Sequence, residues 1–448
     1  MKDRINLYYR CILEKLAKLH GYVYFVMFIC LKVLIDFFFV VVVAEVYPYH
    51  YYQVHGNVLK YFLTWILLLV IFTLMPRKEN SVRAFFLHMQ LIIMVMPMMT
   101  MYAFTEGKST KYLLMVTISI IVECFILRPD GREYKVIKIK GLKPFVSVFL
   151  LIAIPICSIL LINYGGFSGL SAFDLSQLYV IRQNASYPTI LSYVSLWLTY
   201  IVIPFFTVYC FEKKRYGVAM LLIFDTLILY MVLAKKVIYL SLIVVLGVYF
   251  ISKTGQLVKI MYMGISALLI AIIVIFLIDK SGGGISAITI YPTALLGDRF
   301  LYGPALNKFL YYEVFSEYPK LYFSDGMIGR LMGLTNMYNY GPGQLVFGYV
   351  WNGRFGESNS CTGYLGDGYA QMGFGGILLG AIILAYLIKY IDRYYSTFFY
   401  SILVAITSMY VVTLNDTALH TTIISCGLLI YLILLAIYAE TSETQKGV

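Results

Sequence analysis

The chain has 448 residues, of which 61% are apolar and only 13% are charged, and its formal net charge is +12. Globular domains in water carry about 25% charged residues, so this composition excludes an ordinary soluble enzyme and predicts an integral membrane protein. The basic residues are spread over several short connections, which is typical of membrane topology and not of a nucleic-acid-binding surface. The seven cysteines show no paired metal spacing.

The apolar runs predict an all-α polytopic bundle that crosses a membrane about twelve times. A helix needs about 20 apolar residues to cross the hydrocarbon, and runs near this length recur along nearly the whole chain. No segment between them is long enough to fold as a separate soluble domain. The predicted spans cover residues 21–46, 59–75, 84–104, 112–127, 144–162, 189–211, 217–234, 237–251, 258–278, 367–391, 396–414 and 418–438.

The distribution of Lys and Arg predicts the orientation. With the N-terminus inside, the cytoplasmic connections and termini hold 22 of the 35 basic residues, and the short external connections hold five. We therefore expect both termini in the cytoplasm, with the basic N-terminal segment and first span acting as an uncleaved signal anchor.

This topology divides the chain into three parts. Residues 1–278 hold spans one to nine and a smaller external segment at 163–188. Residues 279–366 form one long external segment, and residues 367–448 hold spans ten to twelve and a cytoplasmic tail.

Two charged residues, Lys32 and Asp36, fall inside the first span. They are four residues apart and therefore lie on one helical face. Charges at membrane depth are costly and usually paired, so we predict a structural ion pair or a pair that faces a lateral groove. A proton relay is the alternative.

The long external segment is the only long polar and aromatic stretch of the chain, and it carries Arg299, Arg330 and Arg354. Because a guanidinium binds anionic oxygens bidentately, these arginines predict the place where a charged substrate is handled. The alternative is that they only reach lipid phosphates. Within the segment, the apolar spacing over residues 298–317 predicts an amphipathic helix on the bilayer surface.

Tyrosines cluster where predicted spans meet water, which is typical of an interfacial belt. Tyr338 and Tyr340 lie far from any predicted span end. Their rings are therefore candidates for stacking on sugars.

Two motifs carry a resemblance to a known family. Arg330 is followed after ten residues by Gly341, in RLMGLTNMYNYG, and residues 363–376, GYLGDGYAQMGFGG, lead into span ten. Together with about twelve spans, two larger external segments and Arg182 in the smaller one, they resemble the Wzy-type polymerases of bacterial O-antigens and capsules. The resemblance to O-antigen ligases is looser. The smaller segment lacks a second Arg–Gly motif, because Tyr193 stands eleven residues after Arg182.

The resemblance implies a GT-C-like glycosyltransferase of the bacterial inner membrane. Such an enzyme joins oligosaccharide repeat units carried on undecaprenyl diphosphate, on the external face, into O-antigen or capsular polysaccharide. It needs no metal or other cofactor. The implied partners are lipid-linked oligosaccharides, membrane lipid, a Wzz-type chain-length regulator and a flippase, with no nucleic acid.

The resemblance also implies roles for single residues. Arg330 and Arg182 would stabilise the leaving diphosphate as catalytic residues. Lys235 and Lys236, which form the whole connection between spans seven and eight, would bind the donor, although adjacent lysines at a span end often only mark the interface. The other substrate-binding candidates are Arg299, Arg354, Gly341, Tyr338 and Tyr340.

A base must accept the proton of the attacking hydroxyl group. Histidine has a suitable ordinary pKa, which favours His420, paired with Asp416 at the external end of span twelve. The carboxylates of Glu357, Asp367 and Asp325 are the other candidates. A helix-capping role is the alternative for His420.

Two other functions compete with a polymerase. A lipid-oligosaccharide flippase also has about twelve spans, but we would expect short loops on both sides and two similar halves. An O-antigen ligase shares the architecture, and a catalytic histidine in the long external segment would favour it. No histidine occurs between His88 and His420.

Overall fold

The computed structural model describes residues 21–48, 52–76, 81–129, 136–169, 171, 180–181, 186–235, 237–351 and 353–439. In these ranges the regular structure is helical, and they contain no strand. The predicted all-α fold class and the multi-pass membrane architecture are therefore confirmed.

Eight helices are long and apolar enough to cross a membrane, judged by length and composition. They correspond to eight of the predicted spans. They are α1 (Gly21–Val46), α3 (Val82–Phe104), α5 (Leu142–Gly165), α6 (Thr189–Glu212), α7 (Tyr216–Leu233), α9 (Leu257–Ser281), α14 (Gly363–Ser396) and α16 (Leu419–Tyr438).

The other four predicted spans are also helical, but each has only 16 or 17 residues. This length is at the lower limit for crossing the hydrocarbon, so the number twelve stays a prediction. These helices are α2 (Val58–Leu74), α4 (Thr110–Ile126), α8 (Val237–Ser252) and α15 (Tyr400–Asp416).

The helices differ in how much of their surface other helices cover. All residues in the most apolar stretch of α3 are buried inside the protein, whereas only 17% of the corresponding stretch of α5 is buried. A helix that is apolar on all sides belongs in the interior of a bundle or against lipid. We place α3 at the centre and α5, which exposes Phe145, Phe149 and Ile152, at the lipid-facing periphery.

The connections form polar contacts at both ends of the bundle. At the end predicted to be cytoplasmic, Arg83 Nε lies 2.6 Å from Asp392 Oδ2. At the other end, Lys108 Nζ lies 3.3 Å from Glu313 Oε1, and Tyr52 donates to Asp298 at 2.9 Å. We call this second end, which carries the long segment between α9 and α14, the outer end.

The charged pair in α1 is enclosed as predicted. Lys32 Nζ contacts Asp36 Oδ1 and donates to Thr100 Oγ1 of α3 at 3.1 Å, and the Thr100 hydroxyl donates to Asp36 at 2.6 Å. Lys32 is 0% exposed. The three side chains join α1 to α3 at membrane depth.

In its described residues, the outer segment, residues 282–362, contains five helical elements. They are α10 (Ala287–Pro292), a π-helix (Thr293–Tyr302) that continues into α11 (Gly303–Glu317), α12 (Met327–Leu331) and α13 (Pro342–Val350).

The helix expected over residues 298–317 is present, but its predicted place on a bilayer surface is wrong. α11 packs against α14, α13 and the end of α3. Its side chains are buried on more than one face, and they include Lys308, Phe309 and Phe315. Protein therefore covers this helix where lipid and water were expected.

Candidate functional site

A cleft of about 580 Å³ opens at the outer end of the bundle. Its walls come from the start of α6, from the segment between α11 and α14, and from the junction of α15 and α16. Ionisable side chains far apart in sequence converge on it: Asp325, Arg330, Asp367, Asp416 and His420.

A break in α14 attaches the outer segment to the bundle. Gly373 has a φ of +62°, a conformation that favours glycine, so the helical hydrogen bonding is interrupted there. Carbonyls before such a break need new donors. The peptide N–H groups of Leu321 and Tyr322 donate to the carbonyls of Ala370 and Gln371 at 3.0 and 3.1 Å. The chain that follows is thereby held beside the first part of α14.

Two carboxylates, one amide and one imidazole form a network in this part of the protein. Gln371 Nε2 donates to Asp325 Oδ1 at 3.0 Å and to Asp367 Oδ1 at 3.2 Å. Gln371 Oε1 accepts the peptide N–H of Phe323 at 2.6 Å. His420 Nδ1 lies 3.5 Å from the second Asp367 oxygen. Because both donors and the acceptor of the amide are used, Gln371 fixes the positions of both carboxylates.

His420 turns its second ring nitrogen away from Asp367. A Cβ atom on residue 326 would lie 3.8 Å from Nε2. Because residue 326 is glycine, the space beside Nε2 stays open. The ring meets Phe323 edge-on at 6.2 Å, and the side chain is 23% exposed. An imidazole oriented by a carboxylate at Nδ1 can take a proton at Nε2.

Arg330 is available to bind an anion. Among the described arginines of the outer segment, Arg299 Nε lies 3.8 Å from Asp298 and Arg354 Nε lies 4.0 Å from Glu357. Arg330 lines the cleft and makes no ion pair with any described residue. No described carboxylate therefore lies within ion-pair distance of Arg330, although Asp325, Asp367 and Asp416 line the same cleft.

The N-terminus of α13 faces the same cleft. Gly341 caps this helix, and its peptide N–H donates to Gln344 Oε1 at 3.2 Å. A side chain on Gly343 would overlap Asn359, so only glycine fits where the helix meets the following loop. The first N–H groups of a helix carry partial positive charge and bind anions. In α13 the first residue, Pro342, has no N–H, and the N–H groups of Gln344 and Leu345 both donate to the Gly341 carbonyl at 3.0 Å, so the Gly343 N–H is the group left open among the described contacts. The predicted pair Arg330 and Gly341 thus meets in one cleft.

Asp416 is positioned by a buried lysine. Lys308 Nζ donates to the Pro304 carbonyl at 3.2 Å and to the main-chain and side-chain oxygens of Asn415 at 2.8 and 2.9 Å. Three acceptors match the three protons of an ammonium group. Burial lowers the pKa of Lys308 to about 7, although the Asp416 carboxylate opposes the shift. Lys308 fixes the end of α15 just before Asp416.

Several predicted site residues do not line the cleft. Arg299, Arg354 and Glu357 are largely exposed on the surface of the outer segment. The Tyr338 hydroxyl donates to the Pro319 carbonyl at 2.8 Å, and the Tyr340 ring stacks on Phe355 with centroids 5.8 Å apart. The substrate-binding roles of these arginines and tyrosines, and the base role of Glu357, stay predictions.

The predicted donor-binding lysines lie at or beyond the limits of the described chain. Tyr249 near the end of α8 and Ser401 near the start of α15 both donate to Glu212 Oε2, so these two helices are antiparallel. Lys235, just before α8, is therefore at the outer end with the cleft, although it does not line it. Lys236 and Arg182 lie outside the described residues.

The sequence reasoning missed Gln371. A polar amide four residues after Asp367 in a glycine-rich helix was an available signal, because residues at this spacing share a helical face. The partner on the other side, Asp325, comes from a loop 46 residues away. Periodicity cannot predict such a contact.

No group of three or more His, Cys, Asp or Glu side chains in the described parts of the chain is arranged to hold a metal ion. The carboxylates of Asp325 and Asp367 are bridged by N–H donors of Gln371. A cation between them would face those donors. Independence from metal stays a prediction.

Comparisons with known proteins add no assignment. A scan against family models, a search of curated proteins and a search of solved structures each give no match. The function of the cleft must therefore be argued from its own residues.

Proposed function

We propose that the cleft is the active site of a glycosyltransferase that polymerises oligosaccharide repeat units carried on undecaprenyl diphosphate, at the outer face of a bacterial inner membrane. One observation carries the proposal: Arg330, the N-terminus of α13 and the Asp367–His420 pair converge on one cleft. An anion site beside a base suits a reaction in which a hydroxyl group displaces a diphosphate.

In the proposed reaction, a sugar hydroxyl of one lipid-linked unit attacks the anomeric carbon of the growing chain. Its proton passes to His420 Nε2 while the new C–O bond forms. The bond from the anomeric carbon to the diphosphate oxygen breaks, and its electron pair leaves with the lipid diphosphate. Arg330 and the Gly343 N–H at the start of α13 stabilise that charge, and Asp367 stabilises the imidazolium.

The imidazole in the cleft also favours a second candidate, a ligase that transfers finished polymer to a lipid A core. His420 belongs to α16 and not to the outer segment, yet it reaches the cleft. A ligase would use the same donor and leaving group, so the two candidates differ only in the acceptor.

A reconstituted reaction with each acceptor distinguishes the polymerase from the ligase. We expect purified protein in lipid nanodiscs to convert lipid-linked repeat units into a ladder of longer products in excess chelator. Product only on added lipid A core would assign the ligase instead, and no product with either acceptor would contradict both. Activity that returns only with magnesium or manganese would contradict metal independence.

The orientation can be tested at Cys361, an exposed residue of the outer segment. We expect a membrane-impermeant maleimide to label this cysteine in intact spheroplasts, because the basic residues predict that the outer end faces away from the cytoplasm. The Cys361→Ser variant is the control for labelling of other cysteines. If Cys361 is labelled only after lysis, the outer end faces the cytoplasm and the predicted orientation is wrong.

A further inference from the structure

One carboxyl group in the interior of the bundle has no ion-pair partner in the described chain. Glu123, near the end of α4, is 0% exposed. Its Oε1 atom accepts a hydrogen bond from the Tyr364 hydroxyl at 2.8 Å, and its Oε2 atom has no hydrogen-bond partner among the described residues. The described titratable groups that face it are Tyr364 of α14 and the neighbouring Cys124 thiol, and neither supplies a positive charge. An ionised carboxylate is very costly in such surroundings, because burial removes water and no countercharge replaces it.

A second oxygen atom without a donor belongs to the same network. Gln90, on the central helix α3, is 1% exposed, and its Nε2 atom donates to the Tyr364 hydroxyl at 2.5 Å. This hydroxyl therefore accepts from Gln90 and donates to Glu123, which brings the amide and the carboxyl group together on one oxygen. Gln90 Oε1 has no hydrogen-bond partner among the described residues. Two buried oxygens beside one hydroxyl group thus lack a donor.

A proton accounts for both of these oxygens. Bound to Glu123 Oε2, it removes the buried charge, and the new O–H group has Gln90 Oε1 as a neighbouring acceptor. A water molecule would bring two donors but no positive charge. Hard metal cations such as calcium and magnesium take about six or more oxygen ligands, whereas Gln90 and Glu123 offer one open oxygen each.

Tyr364 belongs to the part of α14 that also carries Asp367, which lines the cleft. We call residues 363–371 the first part of α14. A Cβ atom on Gly368 would lie 2.9 Å from the Gly376 carbonyl oxygen, and one on Gly380 would lie 3.5 Å from the Tyr364 ring. In a continuous helix, residues eight positions apart are separated by about 12 Å. The first part therefore folds back against the rest of α14, and this brings Tyr364 into the interior beside Glu123.

We propose that Glu123 is a proton-binding site, and that the bound proton holds the first part of α14 in place. With the proton bound, a neutral chain of hydrogen bonds through Gln90, Tyr364 and Glu123 joins α3 and α4 to the helix that carries Asp367. Release of the proton to water leaves an unpaired carboxylate in the interior and removes the donor to Gln90 Oε1. The site lies outside the cleft, and the proposal does not depend on the reaction that takes place there.

The test detects the proton by infrared spectroscopy, in which a protonated carboxyl group absorbs apart from carboxylates and amides. Full-length protein is measured at neutral pH in a detergent without ester groups. We expect wild type to show a protonated-carboxyl band that Glu123→Gln loses. The control is Glu212→Gln, which should leave the band unchanged, because Lys253 Nζ lies 2.9 Å from Glu212 Oε2 and keeps that carboxylate ionised. Equal bands in wild type and Glu123→Gln would overturn the proposal.

A second variant tests where the proton lies. Gln90→Leu removes the acceptor at Oε1 but leaves the carboxyl group, so the band should persist at a higher frequency. An unchanged frequency would show that the proton does not face Gln90. The melting temperature of wild type should be the same in sodium chloride and in choline chloride. Stabilisation by sodium that Glu123→Gln lacks would replace the proton by a metal ion and overturn the proposal.

Hydrogen–deuterium exchange tests the effect on α14. In Glu123→Gln the amide can accept from Tyr364 and donate to Gln90 Oε1, as the protonated carboxyl group does. As the pH is raised until the wild-type band disappears, the peptide groups of residues 363–371 should exchange faster in wild type than in Glu123→Gln at the same pH. Equal exchange in the two proteins at every pH would show that the proton does not hold this part of α14.

Discussion

Two groups of polar side chains in this protein have opposite surroundings. Lys32, Asp36 and Thr100 are at most 5% exposed, and their contacts join two membrane-spanning helices. The cleft instead has an imidazole with a free ring nitrogen and an arginine without a carboxylate partner in the described chain. The first group contains its own countercharge, whereas the second has capacity left for a ligand.

This difference separates structural charges from candidate chemical groups. A buried ion pair can fix one helix against another but cannot reach a substrate. A group that is oriented by neighbours and still open to solvent can exchange a proton or bind an anion. Substitutions in the cleft should therefore reduce activity and leave the fold intact, and substitutions in the enclosed pair should do the reverse.

The largest effect is expected at His420. His420→Ala should lower polymerisation by about 10² to 10⁴, the usual contribution of a positioned general base, with little change in thermal stability. The assay is the reconstituted ladder reaction, and His55→Ala, an exposed histidine at the outer end, is the control. Normal ladder formation by His420→Ala would exclude the imidazole as the base.

Arg330 should come next. Arg330→Ala should lower polymerisation by about 10² to 10³, the scale for loss of one preorganised donor that stabilises charge. Arg330→Lys should recover part of the activity, because lysine keeps the charge without the bidentate fork. Arg354→Ala, paired with Glu357 outside the cleft, provides the comparison. Similar losses in both variants would argue against a specific anion site at Arg330.

The enclosed pair should affect stability. Lys32→Met leaves the Asp36 charge without its cation and should destabilise the fold by about 3–5 kcal/mol. Adding Asp36→Leu should restore most of this, because Thr100 retains its hydrogen bond to the Met96 carbonyl at 3.0 Å. Melting temperature in detergent and ladder formation are measured together. A stable double variant without activity would instead support the proton relay.

The smallest expected effect is a change of folding stability with pH that arises from Lys308. Its pKa is about 7 in the folded protein and near 10.5 when unfolded, so the unfolded state binds the extra proton between these values. Stability should therefore rise with pH across this window, by at most about 1.4 kcal/mol per pH unit. The difference in melting temperature between wild type and Lys308→Met should grow in favour of wild type from pH 7 to 9. A constant difference would show that folding does not shift this pKa.

The sequence predicted the helical architecture well because membrane spans have a local signal. A run of apolar residues is compelled to form a helix in hydrocarbon, since its peptide groups have no other hydrogen-bond partners there. Every predicted span corresponds to a helix, and the predicted ion pair in α1 is present. Arg330 and His420 were likewise chosen from residue type and place in the predicted topology, and Gly341 was chosen from the Arg–Gly motif that carries the family resemblance.

The tertiary structure decided which candidates share a site. The backbone break at Gly373 lets α14 accept hydrogen bonds from residues 321–322, and Gln371 then connects Asp325 to Asp367. The same packing buries α11 and leaves Glu357 outside the cleft. These contacts join residues tens of positions apart, and their energies depend on burial and hydrogen-bond geometry that no local pattern encodes. The sequence determined by itself that the protein is a helical membrane bundle with a polar outer segment, and only the packing of that segment onto α14 and α16 created the cleft.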